Sequence, residues 1–251
     1  MKAVLVTRPA HEAAAWVEAL SQRGFAAQAL PLIDICLPDD DTALRRYQTQ
    51  ADGYDALMFV SPQAVRYFAA PSWTLGQVRC WAPGPGTARA LERQGVCAGR
   101  IDQPPADASQ FDSESLWAVV ASQVVPGHRL LVVRGQSADG ETGRDWLVRQ
   151  CEAAGGQVDT CIAYRRCRPD WSPETADRAR RQLHNGAIWL FSSSEALAHL
   201  EALLPGVSFA KGRALVTHPR IEMSARRMGF GEIITTRPAL ADVLSGLQAC
   251  C

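Results

Sequence analysis

The sequence predicts an α/β protein made of two similar doubly wound, parallel-sheet domains, joined by a two-segment linker, with a ligand cleft between them. Three observations carry this. Apolar runs of strand length alternate with amphipathic helical patterns along all 251 residues, the signature of successive βαβ units. One passage is used twice, as Asp55-Ala56-Leu57-Met58-Phe59-Val60-Ser61-Pro62-Gln63-Ala64-Val65 and as Ala187-Ile188-Trp189-Leu190-Phe191-Ser192-Ser193-Ser194-Glu195-Ala196-Leu197. The units also read A, B, A′, B′: 132 residues separate Ser61 from Ser193 and 134 separate Gly95 from Gly229.

The A unit opens with a strand over Ala3–Thr7. A helix follows with Ala13, Trp16, Val17 and Leu20 on one face, closed by Gly24, and a second strand is expected over Ala29–Ile35. The polar stretch Cys36–Asp41, which contains Pro38, reads as a linker, and Asp39-Asp40-Asp41 as its solvated part rather than a metal site. The B unit starts with the repeated passage, in which Ser61 is a natural N-cap and Pro62 suits the first helical position. A strand over Val78–Ala82 leads to Pro83-Gly84-Pro85-Gly86-Thr87 and a helix that presents Ala88 and Leu91 inward. This is not G-x-G-x-x-G, because Arg89 takes the place of the third glycine. A loop and then a helix are expected over Asp107–Val120.

In A′, a strand over Leu130–Val133 ends at Arg134-Gly135. A helix from about Gly143 closes at Gly155-Gly156, and a strand returns over Val158–Tyr164. The basic stretch 165–171 reads as the second linker. In B′, a helix capped by Ser172 precedes the second copy of the passage. There Ser192 to Glu195 spells a capping box, whereas alignment with the first copy puts the cap at Ser193. A strand over Lys211–Thr217, a helix from His218-Pro219-Arg220 to Gly229, a strand over Ile233–Thr235 and a helix over Ala239–Leu247 complete the chain. The simplest arrangement is a discontinuous domain of residues 1–36 and 172–251, a domain of residues 42–164, and linkers at 37–41 and 165–171. A tandem split near residue 125 is the alternative.

Composition excludes several classes. The formal net charge is zero and charged residues make up 21%, so there is no basic footprint for nucleic acid. No run approaches the ~20 apolar residues of a membrane span, and the first apolar run is too short for a signal peptide. Eight cysteines form no C-x-x-C pair and no zinc pattern, so free thiols in a cytoplasmic protein are expected. A nucleotide-dependent transferase is disfavoured by the absence of a P-loop.

Several motifs stand in order along nearly the whole chain. They are Thr7-Arg8-Pro9; Phe59-Val60-Ser61-Pro62-Gln63-Ala64-Val65; Gly84-Pro85-Gly86-Thr87-Ala88-Arg89-Ala90-Leu91; Arg134-Gly135 followed by Gly143-Arg144-Asp145-Trp146-Leu147; Ala163-Tyr164-Arg165; and Val216-Thr217-His218-Pro219-Arg220-Ile221. None is specific alone, but in their order and spacing they resemble the uroporphyrinogen-III synthase family. Val60 and Ser192 stand where many members have threonine, and His218, Arg220 and Ile221 where others have glycine and threonines. The resemblance implies flavodoxin-like domains and a monomeric, cofactor-free, metal-free enzyme. It also implies the substrate hydroxymethylbilane, a linear tetrapyrrole with eight carboxylates, with transient handover from the preceding pathway enzyme. The implied reaction loses water, inverts ring D and closes the macrocycle to uroporphyrinogen III.

Such a substrate needs donors without a strongly basic protein, and capped helix starts at strand ends supply them. The candidate binding residues are therefore Arg8, Pro9, Ser61, Pro62, Thr87, Arg134, Gly135, Arg144, Ser192, Ser193, Ser194, His218 and Pro219. Arginines at strand ends can grip carboxylates bidentately. Tyr164, at a strand end beside a linker and marked by the resemblance, is the candidate proton donor for the leaving hydroxyl. The rival reading is a non-catalytic, two-lobed small-anion binding protein.

Overall fold

A computed structural model describes residues 3–69, 78–108, 110–137 and 145–249. From the amino end come β1 (Ala3–Val6), α1 (Ala10–Ser21), β2 (Ala26–Ala29) and the short β3 (Asp34–Cys36). Next are α2 (Thr42–Gln50), β4 (Ala56–Phe59), α3 (Pro62–Phe68), β5 (Arg79–Trp81), α4 (Pro85–Arg93), β6 (Ile101–Asp102) and α5 (Ser113–Val120). Then follow β7 (Arg129–Gln136), α6 (Trp146–Ala153) and β8 (Gln157–Cys167). The chain continues through α7 (Pro173–His184), β9 (Ile188–Phe191), α8 (Ser194–Leu203), β10 (Arg213–Val216), α9 (Pro219–Met228), β11 (Glu232–Thr235) and α10 (Leu240–Gln248).

Two compact units result, one of Met1–Ile35 with Cys167–Cys251 and one of Cys36–Arg166. In the first, the parallel strands stand in the order β11-β10-β9-β1-β2. Alternate residues serve opposite faces, as the period of a strand dictates. Val4, Val6, Ile188, Leu190 and Leu215 pack with Ala13 and Leu20 of α1 and Val243 and Leu247 of α10. Leu5, Trp189, Phe191, Ala214 and Val216 pack with Leu183 of α7, Leu200 of α8 and Ala225 of α9. Burying each large apolar side chain of this kind contributes about 1.5–3 kcal/mol.

The second sheet has the order β3-β8-β7-β4-β5-β6, in which β8-β7-β4-β5-β6 is again parallel and the short β3 is an additional edge strand. Ala56, Met58, Leu130 and Val132 meet Leu116 and Val120 of α5 and Leu147 and Cys151 of α6. On β4 the alternate residue Phe59 meets Phe68 of α3 edge-on, at 5.7 Å between ring centroids. The two orders become one when A is matched to A′ and B′ to B. Each sheet reads B outward to inward, then A. The domains share an architecture although their pieces occur in opposite order along the chain.

Two strands differ from expectation. The strand expected over Ala29–Ile35 is β2 at Ala26–Ala29 followed by β3, because Pro31 has no N–H for a ladder and interrupts the run. β8 continues past Tyr164 to Cys167, so the start of the basic stretch is strand. Cys80, Cys151 and Cys161 are buried free thiols and Cys97 an exposed one. Cys36 and Cys167 are disulfide-bonded, against the expectation of free thiols throughout. No helix among the described residues is long and apolar enough to cross a membrane.

Candidate active site

Each sheet has a point where the strand order reverses, and ligands of open α/β sheets bind outside the carboxyl ends of strands there. In the first unit it lies between β1 and β9, and in the second between β4 and β7. Both points are built from the residues singled out in the sequence.

In the first unit, Thr7 Oγ1 donates to the Leu190 carbonyl at 2.8 Å and ties the ends of β1 and β9 together. Arg8 follows, with its guanidinium 4.5 Å over the Trp16 ring and 2.9 Å from Glu12 Oε2. Pro9 is the residue that precedes α1. After β9, Ser193 is the cap of α8 and accepts from the Glu195 N–H at 3.2 Å, the cap position given by the internal alignment. Ser192 and Ser194 flank it, half-buried. After β10, His218 caps α9 by accepting the Arg220 N–H on Nδ1 at 3.1 Å, with Pro219 at the first helical position. That contact leaves the ring proton on Nε2 whenever the imidazole is neutral.

In the second unit, Ser61 caps α3 and accepts the Ala64 N–H at 3.1 Å, with Pro62 next in the helix. The same Ser61 Oγ stands 3.1 Å from the hydroxyl oxygen of Tyr164. On the neighbouring strand Arg134 is buried and pairs with Asp145 Oδ1 at 2.6 Å. Between Arg134 and Gly135 the β7–β8 register advances by one residue, so that Arg134 faces Ile162 but Gly135 faces Tyr164. Bulges of this kind re-aim side chains and recur beside active sites. Here it lays the Tyr164 ring on the one residue without a side chain. A Cβ at Gly135 would stand 2.7 Å from the Tyr164 oxygen and closer still to its Cζ. The Tyr67 ring of α3 covers Tyr164 from another side, at 5.9 Å between centroids.

A pocket of about 520 Å³ opens at this point, and Ser61, Arg134, Gly135 and Tyr164 all line it. Phe111 and Trp146 add apolar wall, and Gln136 and Arg166 add polar groups. None of these four is among the candidate site residues read from the sequence, although Trp146 lies in one of its motifs. Gln136 extends the Arg134-Gly135 element and could have been read from it, whereas Phe111 sits in a loop with no periodic signal. Phe111 packs on Gly84, where a Cβ would come 3.1 Å from Phe111 Cβ. Thr87 is buried in the first turn of α4, with its N–H 3.1 Å from the Gly84 carbonyl oxygen, and does not line the pocket. Arg144 lies outside the described residues. Among the described residues no three His, Cys, Asp or Glu side chains group closely enough to hold a metal ion.

The family model described as "Uroporphyrinogen-III synthase HemD" matches residues 14–245. The chain belongs to the uroporphyrinogen-III synthase family. It is therefore an enzyme, a lyase of porphyrin biosynthesis. Uroporphyrinogen-III synthases of Salmonella typhimurium and Escherichia coli are each 28% identical to it, over 96% of this chain and 97% of theirs. The uroporphyrinogen-III synthase of Chlorobaculum parvum is 33% identical over 54% of each chain, about half its length. Among solved structures, the Helicobacter pylori uroporphyrinogen-III synthetase is similar with a TM-score of 0.61 at 13% identity, over the whole of both chains. A mutant Thermus thermophilus uroporphyrinogen III synthase gives 0.51 at 16%, over 99% of this chain and 98% of that one. At these identities the structural likeness speaks for the fold, and it agrees with the doubly wound sheets found here.

The internal repeat gives the two reversal points equivalent residues. Val4 pairs with Ile188, and Leu130 pairs with Ala56, the residue 132 before Ile188. Arg8 and Arg134, each four residues further on, thus hold the same place in the two sheets. Each is engaged by a carboxylate of its own unit, Glu12 or Asp145.

Proposed function

We propose that the chain converts hydroxymethylbilane to uroporphyrinogen III, with loss of water and inversion of ring D, and that Tyr164 is the proton donor to the leaving oxygen. The observation that carries the assignment is the Tyr164 hydroxyl in the wall of a pocket at the β4–β7 reversal, 3.1 Å from Ser61 Oγ. Hydroxymethylbilane closes unaided to the uninverted isomer, so the enzyme's main work is to hold one conformation. Fixing the reacting ends can supply several kcal/mol of barrier lowering.

The site residues support both tasks. Arg134 and, at the equivalent place, Arg8 are the cations for substrate carboxylates. The caps at Ser193 and His218 add donors at helix starts, with Ser192 and Ser194 beside the first, which suits an anionic substrate on a chain of zero net charge. As the C–O bond breaks, the Tyr164 proton passes to the hydroxymethyl oxygen, water departs, and the adjoining pyrrole takes up the positive charge. Ring closure later releases a proton, which returns to the phenolate. Net, one hydroxymethylbilane gives one uroporphyrinogen III and one water.

Cytoplasmic residence, a monomeric state and handover of substrate from the preceding enzyme belong to the same reading. Tyr164→Phe assayed on fresh hydroxymethylbilane tests the acid. Turnover to isomer III should fall by ~100–10,000-fold without vanishing, as for loss of one general acid. Unchanged turnover would remove Tyr164 from catalysis.

A further inference from the structure

We infer that Ser61 is a positioning residue whose hydroxyl donates to Tyr164, directing the Tyr164 proton into the pocket and then holding the phenolate. This rests on the reading of Tyr164 as the acid and adds the element that makes it one. A phenol 3.1 Å from a serine oxygen can spend its proton on that oxygen, and it would then have none to give to substrate.

The cap favours one direction. Ser61 Oγ already accepts the Ala64 N–H at 3.1 Å, which fixes the oxygen and occupies one lone pair. A hydroxyl that accepts a hydrogen bond becomes a stronger donor through its own hydrogen. The polar chain then runs one way, from Ala64 N–H to Ser61 O–H to Tyr164 O–H to the leaving oxygen. With the proton gone, the phenolate accepts a charge-assisted bond from Ser61, roughly twice as strong as the neutral one. Gly135 holds the other side of this geometry, since any side chain there would occupy the space of the Tyr164 ring. Ser61 thus acts through Tyr164 and not as a ligand for a substrate carboxylate.

The test is a double-mutant cycle on the full chain, reading kcat for uroporphyrinogen III formation. Ser61→Ala should lower kcat about 10- to 100-fold, the worth of one hydrogen bond to a charged group. Ser61→Gly should do the same, and glycine is itself a tolerated cap that costs the helix only a few tenths of a kcal/mol, so the fold is kept. Ser61→Thr, which keeps the hydroxyl, should restore kcat. In the Tyr164→Phe background Ser61→Ala should cost nothing further. A full, multiplicative loss in that background would overturn the inference, as would a Ser61→Gly chain with wild-type kcat. A merely structural role for Ser61 gives the multiplicative result. A wild-type chain that forms no isomer III would overturn the reaction itself, and a fully active Tyr164→Phe would overturn the acid. These failures are distinguishable from failure of the Ser61 role.

Discussion

The ring of Tyr164 rests on the Cα of Gly135, so that a methyl group at residue 135 would stand 2.7 Å from the phenol oxygen. The contact exists because the β7–β8 register advances between Arg134 and Gly135. It ties a backbone irregularity to the position of one hydroxyl.

Gly135→Ala should therefore push Tyr164 out of place. We expect kcat to fall by a factor similar to that of Tyr164→Phe, and stability to fall by about 1–3 kcal/mol, the usual cost of overpacking. Thermal unfolding and turnover measure the two effects. In a Tyr164→Ala background the stability cost of Gly135→Ala should disappear. If it persists, the clash is with something other than the ring.

Arg134 is 6% exposed in its side chain while its partner Asp145 is 53% exposed, so the pair is a buried cation held by a carboxylate at the surface. A substrate carboxylate reaching Arg134 has to compete with Asp145. Asp145→Asn removes this competitor. KM for hydroxymethylbilane should drop by roughly threefold or more, with kcat little changed. A raised KM would mean that Asp145 orients Arg134 and that substrate does not displace it.

Burial pushes the thiols of Cys80 and Cys161 up to about 12, and that of Cys151 upward as well. In the unfolded chain a thiol ionises near the ordinary value of 9.0. Above that pH the unfolded state sheds protons that the folded state keeps, so stability falls as pH rises. The contribution is complete below about pH 9 and is lost progressively toward about pH 12. Denaturant midpoints should drop across that window, and less so for a Cys80→Ser, Cys161→Ser variant. At pH 8 a small alkylating agent should label exposed Cys97 well ahead of Cys80, Cys151 and Cys161. Equal labelling would contradict the burial.

Much of the fold was legible because its signals are local. The apolar runs at Leu57–Phe59 and Ile188–Phe191 are fully buried strands, and Ser61, Ser172 and Ser193 each cap the helix they precede. The strand pairing then places Arg8 and Arg134, each at the end of a strand read from the sequence, as counterparts. Less legible were features set by contacts distant in sequence. The bulge opposite Gly135 depends on how β8 pairs, which no local pattern encodes. Phe111 reaches the pocket from a loop, and Thr87 is buried because its face of α4 also carries buried Ala88 and Leu91. β2 began earlier than its most apolar residues suggested, since Leu30 and Leu32 are buried beyond the strand end.

The central claim is that this chain directs hydroxymethylbilane to the inverted macrocycle. Purified protein incubated with fresh hydroxymethylbilane, followed by oxidation and separation of the uroporphyrin isomers, tests it most directly. The account predicts isomer III in excess, with Tyr164→Phe shifting the mixture toward isomer I as the spontaneous closure overtakes a slowed enzyme. Isomer I alone, at the rate seen without protein, would contradict it and leave a two-lobed anion binder as the reading of the same fold.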